Sequence, residues 1–280
     1  QKPMIKTVLT IAGSDPTGGA GIQADLKTMT AIGVYGAAVI TCVTVQNSRG
    51  VSRIEPLHPE LVAEQIEAVL TDHRVTHVKI GMIGTAAIAR AIARKLRNFK
   101  GEVIFDPVLH SSTGHPLLPP DDLESVRADL LALTTVLTPN LPELEVLSET
   151  AVQGNGEVRA GVDALMQKYS SLRAILVKGG HGDSTDLLTD CLFFADNGKI
   201  ERETLSHPFL QTCNSHGTGC TLASAFASYH ALGGDYSSAF LQAVFFVQEL
   251  LKESASLKIV TNPKGKGGLL HHLACAAMAE

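Results

Sequence analysis

Short β-branched runs alternate with longer stretches of helical periodicity along the first 180 residues of this chain. The predicted strands, such as residues 37–45 and 174–177, are almost entirely apolar and do not alternate between apolar and polar side chains. Strands of this kind are buried on both faces, and their alternation with helices is typical of parallel sheets. The pattern therefore predicts an α/β fold, with a mostly parallel central sheet and helices on both faces.

The periodicity also places the individual elements. Strands are predicted at residues 7–11, 37–45, 77–80, 103–105, 135–137 and 174–177. Helices are predicted at residues 20–32, 60–70, 85–99, 121–131, 158–169, 220–231 and 237–253. After Gly180 two further strands, 191–195 and 209–212, are expected to form a hairpin-like edge. Because the sequence shows no repeat, linker or low-complexity stretch, we predict one domain over residues 1–280.

Composition excludes several classes of protein. The net charge is −5 with a pI near 6.1, and basic residues never occur in runs longer than two, which argues against a nucleic-acid or membrane partner. No stretch reaches the roughly 18 apolar residues of a membrane span, and the start of the sequence does not resemble a signal peptide. Five cysteines without a CxxC pair favour a reduced, cytoplasmic compartment.

Polar residues and glycines gather where the predicted parallel strands end. These residues are Gly13, Ser14, Asp15, Gln46, Asn47, Gly81, Asp106, Asn140 and Lys178. The carboxyl ends of parallel strands meet at one edge of a sheet, and open α/β folds bind their ligands beyond that edge. This coincidence indicates an enzyme that acts on a small molecule.

A glycine-rich turn precedes the helix predicted at residues 220–231. Gly217, Thr218 and Gly219 let backbone amides converge at a helix start without an obstructing Cβ. Such amides and the helix dipole form an anion site that suits a phosphoryl group in transfer. The alternative is a plain glycine turn that caps the helix.

Cys220 opens the predicted helix. Amide dipoles at a helix start lower the pKa of a thiol, so we expect a partial thiolate that can take a proton from a substrate hydroxyl. The alternative interpretation is a small buried side chain that packs behind the turn.

Several motifs occur in the same order as in ribokinase-like kinases. A G-T-G-[D/C] sequence before a helix resembles their catalytic signature, and the form H-G-T-G-C at 216–220 is typical of hydroxymethylpyrimidine kinases and some pyridoxal kinases. Residues 12–28, 79–83 and 106–108 also resemble the pyrimidine kinases. This resemblance spans residues 7–255. It implies a ribokinase-like fold, ATP and Mg²⁺ as cofactors, and phosphorylation of 4-amino-5-hydroxymethyl-2-methylpyrimidine and then of its monophosphate, in thiamin biosynthesis.

The resemblance also implies a pyrimidine pocket lined by Gly13, Asp25, Gln46 and Met82. Gly13 lets a ligand approach the backbone, and Asp25 accepts hydrogen bonds from an amine or hydroxyl. Gln46 offers both a donor and an acceptor to an aminopyrimidine edge, and Met82 offers a polarizable contact to a flat ring. Each of these residues also has an ordinary structural interpretation, in a loop, on a helix surface or in the core.

Phosphate and magnesium are expected on the other side of the site. Asn140 and Glu143 form an N-x-x-E motif whose oxygens suit Mg²⁺, largely through water, although the same spacing is that of a helix cap. By resemblance, Asp106 assists them and Lys178 reaches toward the ATP phosphates.

One departure from the family pattern concerns the flap after Asp106. Many relatives carry a lysine there, but residues 109–118 contain none. The resemblance further implies a homodimer. Pyridoxal kinase is the alternative activity within the fold, and a non-catalytic pyrimidine-binding protein is the alternative from another class.

Overall fold

The computed structural model describes residues 5–111, 114–152, 155–179, 187–262 and 264–271. Nine strands form one sheet. In chain order they are β1 (Thr7–Ser14), β2 (Tyr35–Asn47), β3 (Gly50–Pro56), β4 (Val75–Ile80), β5 (Glu102–Phe105), β6 (Val136–Leu137), β7 (Ala174–Val177), β8 (Leu187–Asp196) and β9 (Lys199–Pro208). Across the sheet their order is β3-β2-β1-β4-β5-β6-β7-β8-β9. Six neighbouring strands, β2, β1, β4, β5, β6 and β7, pair in parallel. Strand β3 pairs antiparallel with β2 at one edge, and β8 and β9 extend the other edge through antiparallel pairs.

Helices cover both faces of the sheet. They are α1 (Gly21–Ile32), α2 (Pro59–Asp72), α3 (Ala86–Leu96), α4 (Leu123–Asp129), α5 (Leu141–Ser148), α6 (Asn155–Lys168), α7 (Thr218–Ala231) and α8 (Tyr236–Ala255). Helices α2 to α6 pack into one apolar cluster, and α1, α7 and α8 pack into another. Among the described helices none is both long and apolar enough to cross a lipid bilayer.

Strand β1 shows why the apolar pattern led to this architecture. Leu9 and Ile11 are fully buried in the cluster on one face, and Val8 is fully buried in the cluster on the other. Successive side chains of a strand point to opposite faces, so only a strand covered on both faces needs apolar residues at successive positions. The predicted α/β fold with a mostly parallel sheet is therefore confirmed.

The edges of the sheet differ from the prediction. Residues 209–212, predicted as a strand, lie outside any strand, and Phe209 is exposed. The partner of β8 is instead β9, which the chain enters through Asn197 and Gly198, both with positive φ. An Asn-Gly pair favours a two-residue hairpin, so this signal was present in the sequence. Strand β3 was also missed, and of helix α5 only the first turn at Asn140–Glu143 was predicted. The helix predicted at 121–131 is short and flanked by 3₁₀ turns at Pro120–Asp122 and Leu131–Leu133.

Two histidines meet at the end of the sheet where β4 begins and α7 ends. His77 Nε2 lies 2.8 Å from His230 Nδ1, and the ring of Tyr236 stacks on His230 with centroids 4.9 Å apart. Burial, followed by repulsion from His230, lowers the pKa of His77 to about 4. Burial also lowers the pKa of His230. A hydrogen bond between two imidazoles needs one lone pair, so at least one of the two rings must be neutral.

This pair predicts a loss of stability in mild acid. The pKa of His77 lies below the value of about 6.5 that histidine has in an unfolded chain, so the unfolded state binds more protons below that pH. The contribution of His77 to the free energy of unfolding is therefore fully present above about pH 6.5 and falls as the pH drops toward 4. We expect a contribution of roughly 1–2 kcal/mol to be lost between pH 6.5 and 5, at about 1.4 kcal/mol per pKa unit.

Urea unfolding at a series of pH values measures this loss. His77→Gln should flatten the pH dependence of the unfolding free energy, whereas His58→Gln, at an exposed position, should leave it as in the parent protein. Parallel curves for the parent protein and both variants would contradict the prediction.

Candidate active site

Two adjoining cavities lie beyond the carboxyl ends of the parallel strands. The smaller, of about 210 Å³, is lined by Gly13, Gln46, Met82 and Cys220 among others. The larger, of about 740 Å³, extends toward β9 and α8. Both cavities share the following lining residues: His110, Ser111, Asn140, Glu143, Lys178, Ser215, Thr218 and Gly219. A ligand in each cavity would therefore meet the other beside Lys178 and the glycine turn.

The glycine turn begins α7 two residues earlier than predicted. Gly217 caps the helix with φ +82°, and Thr218 is its first residue, so Cys220 is the third and not the first. A Cβ on Gly217 would overlap the carbonyl oxygen of Gly19, whereas a Cβ on Gly219 would meet only Lys178 Nζ, at 3.5 Å, among the described atoms. Gly217 is thus required by the fold, whereas Gly219 leaves space at the junction of the two cavities.

Cys220 lines the smaller cavity, but its thiol is not activated as the sequence predicted. The pKa of Cys220 is raised to about 11, chiefly by the loss of surrounding water and also by the carboxylates of Asp106 and Asp25, against the opposing effect of the Lys79 ammonium. The predicted lowering of the thiol pKa by the helix start is therefore wrong, because burial outweighs the amide dipoles. At neutral pH the side chain is a thiol.

Lys178 sits in a cluster with two carboxylates. Its Nζ lies 2.8 Å from Asp106 Oδ1 and 3.6 Å from Glu143 Oε2. Burial opposes ionisation of Asp106, but Lys178 and Lys79 together hold its pKa below the usual range. Burial and the neighbouring Asp106 raise the pKa of Glu143, against the attraction of Lys178. The cluster places a partly buried ammonium at the junction of the two cavities.

Asn140 and Glu143 form the helix cap that was one of the two predicted alternatives. Asn140 Oδ1 accepts a hydrogen bond from Glu143 N, and Glu143 Oε2 accepts one from Asn140 N, each at 2.8 Å. Because both residues also line the two cavities, the cap does not exclude a role toward a ligand. It fixes their oxygens in place at the start of α5.

A magnesium ion fits the carboxylates of this cluster. Asp106 Oδ2 is buried and has no hydrogen-bond partner among the described residues, which leaves a carboxylate oxygen unsatisfied. Glu143 supplies a second carboxylate beside it. Hard oxygen donors of this kind are the ligands that Mg²⁺ takes, usually with several of its waters retained. Within the described part of the chain, no group of three His, Cys, Asp or Glu side chains has the arrangement of an all-protein metal site.

Asp25 lies beneath the smaller cavity and not on its wall. Both oxygens are fully buried and accept hydrogen bonds from Lys79 Nζ at 3.0 and 3.1 Å, from Thr10 at 2.6 Å and from Ser224 at 2.6 Å. These protein donors take the place that the sequence analysis gave to a ligand amine or hydroxyl. Lys79 was not predicted to act here, although a lysine inside an apolar strand was a signal.

The remaining predicted substrate residues line the smaller cavity. A Cβ on Gly13 would lie 3.0 Å from Met82 Sδ, so the glycine gives space beside that sulfur. Met82 packs with Cys42 and Leu117 into an apolar wall, and Gln46 lies on the polar side near His216. The structure thus brings Gly13, Gln46 and Met82 together at one cavity.

Several lining residues were given no role by the sequence analysis. Asp15 and His216 form an ion pair at 2.8 Å on the polar side of the smaller cavity. Lys266, which follows all nine strands in the chain, lines the larger cavity. Its segment is held by backbone hydrogen bonds from Lys266 N to Ser48 O and from His216 N to Gly267 O. This segment brings a lysine to a site whose flap contains none. Gly180, two residues after Lys178, lies outside the described residues.

Comparisons with known proteins agree with this geometry. A family model described as phosphomethylpyrimidine kinase matches residues 15–265. A hydroxymethylpyrimidine/phosphomethylpyrimidine kinase from Rhizobium meliloti is 40% identical over 274 residues, which is 96% of this chain and 97% of that protein. The crystal structure of a phosphomethylpyrimidine kinase from Clostridium difficile superimposes with a TM-score of 0.75 at 35% identity, covering 87% of this chain and 98% of its own.

A pyridoxal kinase from Staphylococcus aureus, solved in complex with AMP-PCP and pyridoxal, has a TM-score of 0.81 at 28% identity and covers 96% of this chain and 94% of its own. Its backbone similarity is as high as that of the pyrimidine kinase, so the fold alone does not separate the two substrates. The family model and the sequence identity do separate them. The ribokinase-like fold and the predicted resemblance are confirmed, and the chain belongs to the phosphomethylpyrimidine kinase family.

Proposed function

We propose that this protein transfers the γ-phosphoryl group of ATP to 4-amino-5-hydroxymethyl-2-methylpyrimidine and then to the resulting monophosphate. The observation that carries the proposal is the pair of adjoining cavities that share Lys178, Thr218 and Gly219. Phosphoryl transfer needs two ligands that meet end to end at a point lined by a cation and by backbone amides. The junction of the two cavities is such a point.

The nucleotide is assigned to the larger cavity. Its volume of about 740 Å³ suits ATP, whereas about 210 Å³ suits a single substituted ring. A relative of the same fold was solved with the ATP analogue AMP-PCP, which supports nucleotide binding here. The γ-phosphate would then lie at the junction, against the Gly217–Gly219 amides.

Charge on the transferring group is balanced by this chain's own residues. Lys178 stays protonated, because Asp106 and Glu143 raise its pKa against the effect of burial. The amides at the start of α7 donate toward the same point. When bound, Mg²⁺ would supply further compensation of phosphate charge, held by Asp106 and Glu143 largely through water, with Asn140 fixed beside them. Preorganised donors of this kind stabilise the transition state without reorganising.

Cys220 is our candidate for the acceptor of the hydroxyl proton. It lines the smaller cavity next to the junction, and Lys79 stabilises its thiolate form. Because the pKa of Cys220 is about 11, only about one thiol in ten thousand is ionised at pH 7. The thiolate is the form that can act as a base.

Turnover of ATP tests the proposed function. With Mg²⁺ present, the protein should phosphorylate the hydroxymethylpyrimidine and its monophosphate, with pyridoxal a poorer substrate. A protein that binds the pyrimidine but forms no ADP would be a binding protein, and a preference for pyridoxal would reassign it to vitamin B6 phosphorylation. Three further proposals accompany this one. One kinase domain over residues 1–280 rests on the lack of a repeat or linker in the sequence, a cytoplasmic location rests on the cysteine content, and a homodimer rests on the family resemblance.

The two glycines of the turn should respond differently to a methyl group. Gly219→Ala should keep the parent melting temperature, because its Cβ meets only Lys178 Nζ among the described atoms, but it should lower kcat on the order of 10²-fold by crowding the amide site. Gly217→Ala should unfold at lower temperature, since it combines positive φ with overlap of the Gly19 carbonyl. Thermal unfolding and kcat of both variants are the measurements. Full activity of Gly219→Ala would exclude the amide site.

The pKa of Cys220 predicts a pH profile that differs between the two steps. If its thiolate is the base, kcat for the hydroxymethylpyrimidine should rise about tenfold per pH unit from pH 7 to 9, because the folded pKa is about 11. The monophosphate is already ionised above pH 6, so its phosphorylation should show no such rise.

Two variants complete this test. Cys220→Ala should abolish the slope of the first step, and Cys220→Asp should restore activity with a flat profile near neutral pH. The same profile for both steps, or an unchanged slope in Cys220→Ala, would exclude Cys220 as the base and leave proton removal to the transferring phosphoryl group.

A further inference from the structure

The part of the larger cavity that α7 and α8 form beyond the glycine turn has an apolar wall. Four buried side chains of one apolar cluster line it, and none of them lines the smaller cavity. They are Leu222 of α7 and Val244, Val247 and Leu251 of α8. An apolar wall suits the flat face of an aromatic ring and not a phosphate group, so this part of the cavity fits the base of a nucleotide.

One polar side chain interrupts the apolar wall. Gln248 lies four residues after Val244 and three before Leu251, so it lies on the same face of α8. It lines the larger cavity, and only 9% of it is exposed. Burial of an amide without a hydrogen-bond partner costs free energy, so a glutamine at this position of the helix requires a reason.

The Gln248 amide has no partner within the described part of the protein. No hydrogen bond or ion pair of its side chain occurs among those residues. The buried side-chain atoms that lack both a partner and access to solvent belong instead to His73, Asp106 and Arg127. The amide oxygen and nitrogen of Gln248 therefore reach open space, and the open space beside this residue is the larger cavity.

Other polar side chains of the same cavity already have partners. Asp190 Oδ2 lies 3.0 Å from His207 Nε2. Lys178 Nζ lies 2.8 Å from Asp106 Oδ1. Gln248 differs from these groups because both its donor and its acceptor remain for a ligand.

The chemistry of the amide defines the ligand that it can recognise. A primary amide presents a carbonyl acceptor beside an N–H donor. Its complement is a ring edge on which an amine stands next to a ring nitrogen, and adenine has such an edge, to which glutamine bonds in a bidentate manner. A phosphate group offers acceptors only and would leave the amide oxygen unpaired.

We propose that Gln248 is a specificity-determining residue for the phosphoryl donor, and that its amide pairs with the amine and the adjacent ring nitrogen of a 6-aminopurine. The inference rests on the proposed function, which places the phosphates of ATP at the junction of the cavities and leaves the base for the wall at α8. Because the contact is with the base and not with the transferring group, it should act on nucleotide affinity and not on the chemical step.

ATP and purine riboside triphosphate, which differ in the amine alone, provide the test. The parent protein should favour ATP about tenfold in kcat/KM, because the other nucleotide buries the amide oxygen unpaired. Gln248→Leu removes the amide at similar size. It should raise KM for ATP about tenfold, leave kcat within about twofold and bring the ratio between the two nucleotides to about one. KM for hydroxymethylpyrimidine should stay as in the parent protein.

Gln242→Leu is the matched control. Gln242 lies on the exposed side of the same helix, where its Nε2 donates to Ser238 O at 3.2 Å. This variant should leave KM for both nucleotides as in the parent protein. If Gln248 is only a buried helix residue, Gln248→Leu should behave as this control does, and that result would overturn the inference. Should Gln248→Leu not fold, Gln248→Met, with an unbranched side chain of the same length, takes its place.

Calorimetric binding of each nucleotide with Mg²⁺ separates this inference from the proposed function. If the parent protein forms no ADP with any acceptor, the kinase function fails, while a binding preference for ATP that Gln248→Leu abolishes still supports the role of Gln248. If turnover occurs but the parent protein uses both nucleotides equally well, or if Gln248→Leu keeps the parent ratio, the base contact is wrong and the kinase function stands.

Discussion

The buried ion pair between Lys79 and Asp25 is the interaction on which the site depends. Both side chains are fully buried, and the pair joins β4 to α1, while Thr10 of β1 and Ser224 of α7 donate to the same carboxylate. Removing one partner of such a pair leaves an uncompensated buried charge, at a cost of about 3–5 kcal/mol. The Asp25 carboxylate therefore holds β1, β4, α1 and α7 in one arrangement at the floor of the smaller cavity.

The same ammonium shapes the electrostatics above it. Lys79 lowers the pKa of Asp106 and opposes the rise in the pKa of Cys220, although it contacts neither cavity. These effects reach across the protein interior because charges there interact more strongly than they do in water.

Sequence reasoning succeeded where the physics is local. The apolar strands indicated the class of fold, and most of the polar residues at their ends line the two cavities. Both results follow from the period of a strand and the polarity of a parallel sheet. The predictions of sequence reasoning were wrong where the burial of a side chain by residues distant in sequence determines the outcome. The raised pKa of Cys220 comes from the loss of water and from Asp106 and Asp25, which are distant in sequence. The resemblance placed Asp25 in the pocket, and nothing in the sequence shows that its carboxylate is already paired with Lys79, 54 residues along the chain.

The segment at 264–271 has a consequence for how the protein is made. It reaches back to the glycine turn before α7, where His216 N donates to Gly267 O and Gly268 lies against Gly19. During synthesis this segment leaves the ribosome after every strand of the sheet and after both helices that follow. The nascent chain can thus complete its sheet while the glycine turn still lacks its last neighbour. The architecture and the active site of this protein are completed at different moments, and the final contact is the one nearest to the chemistry.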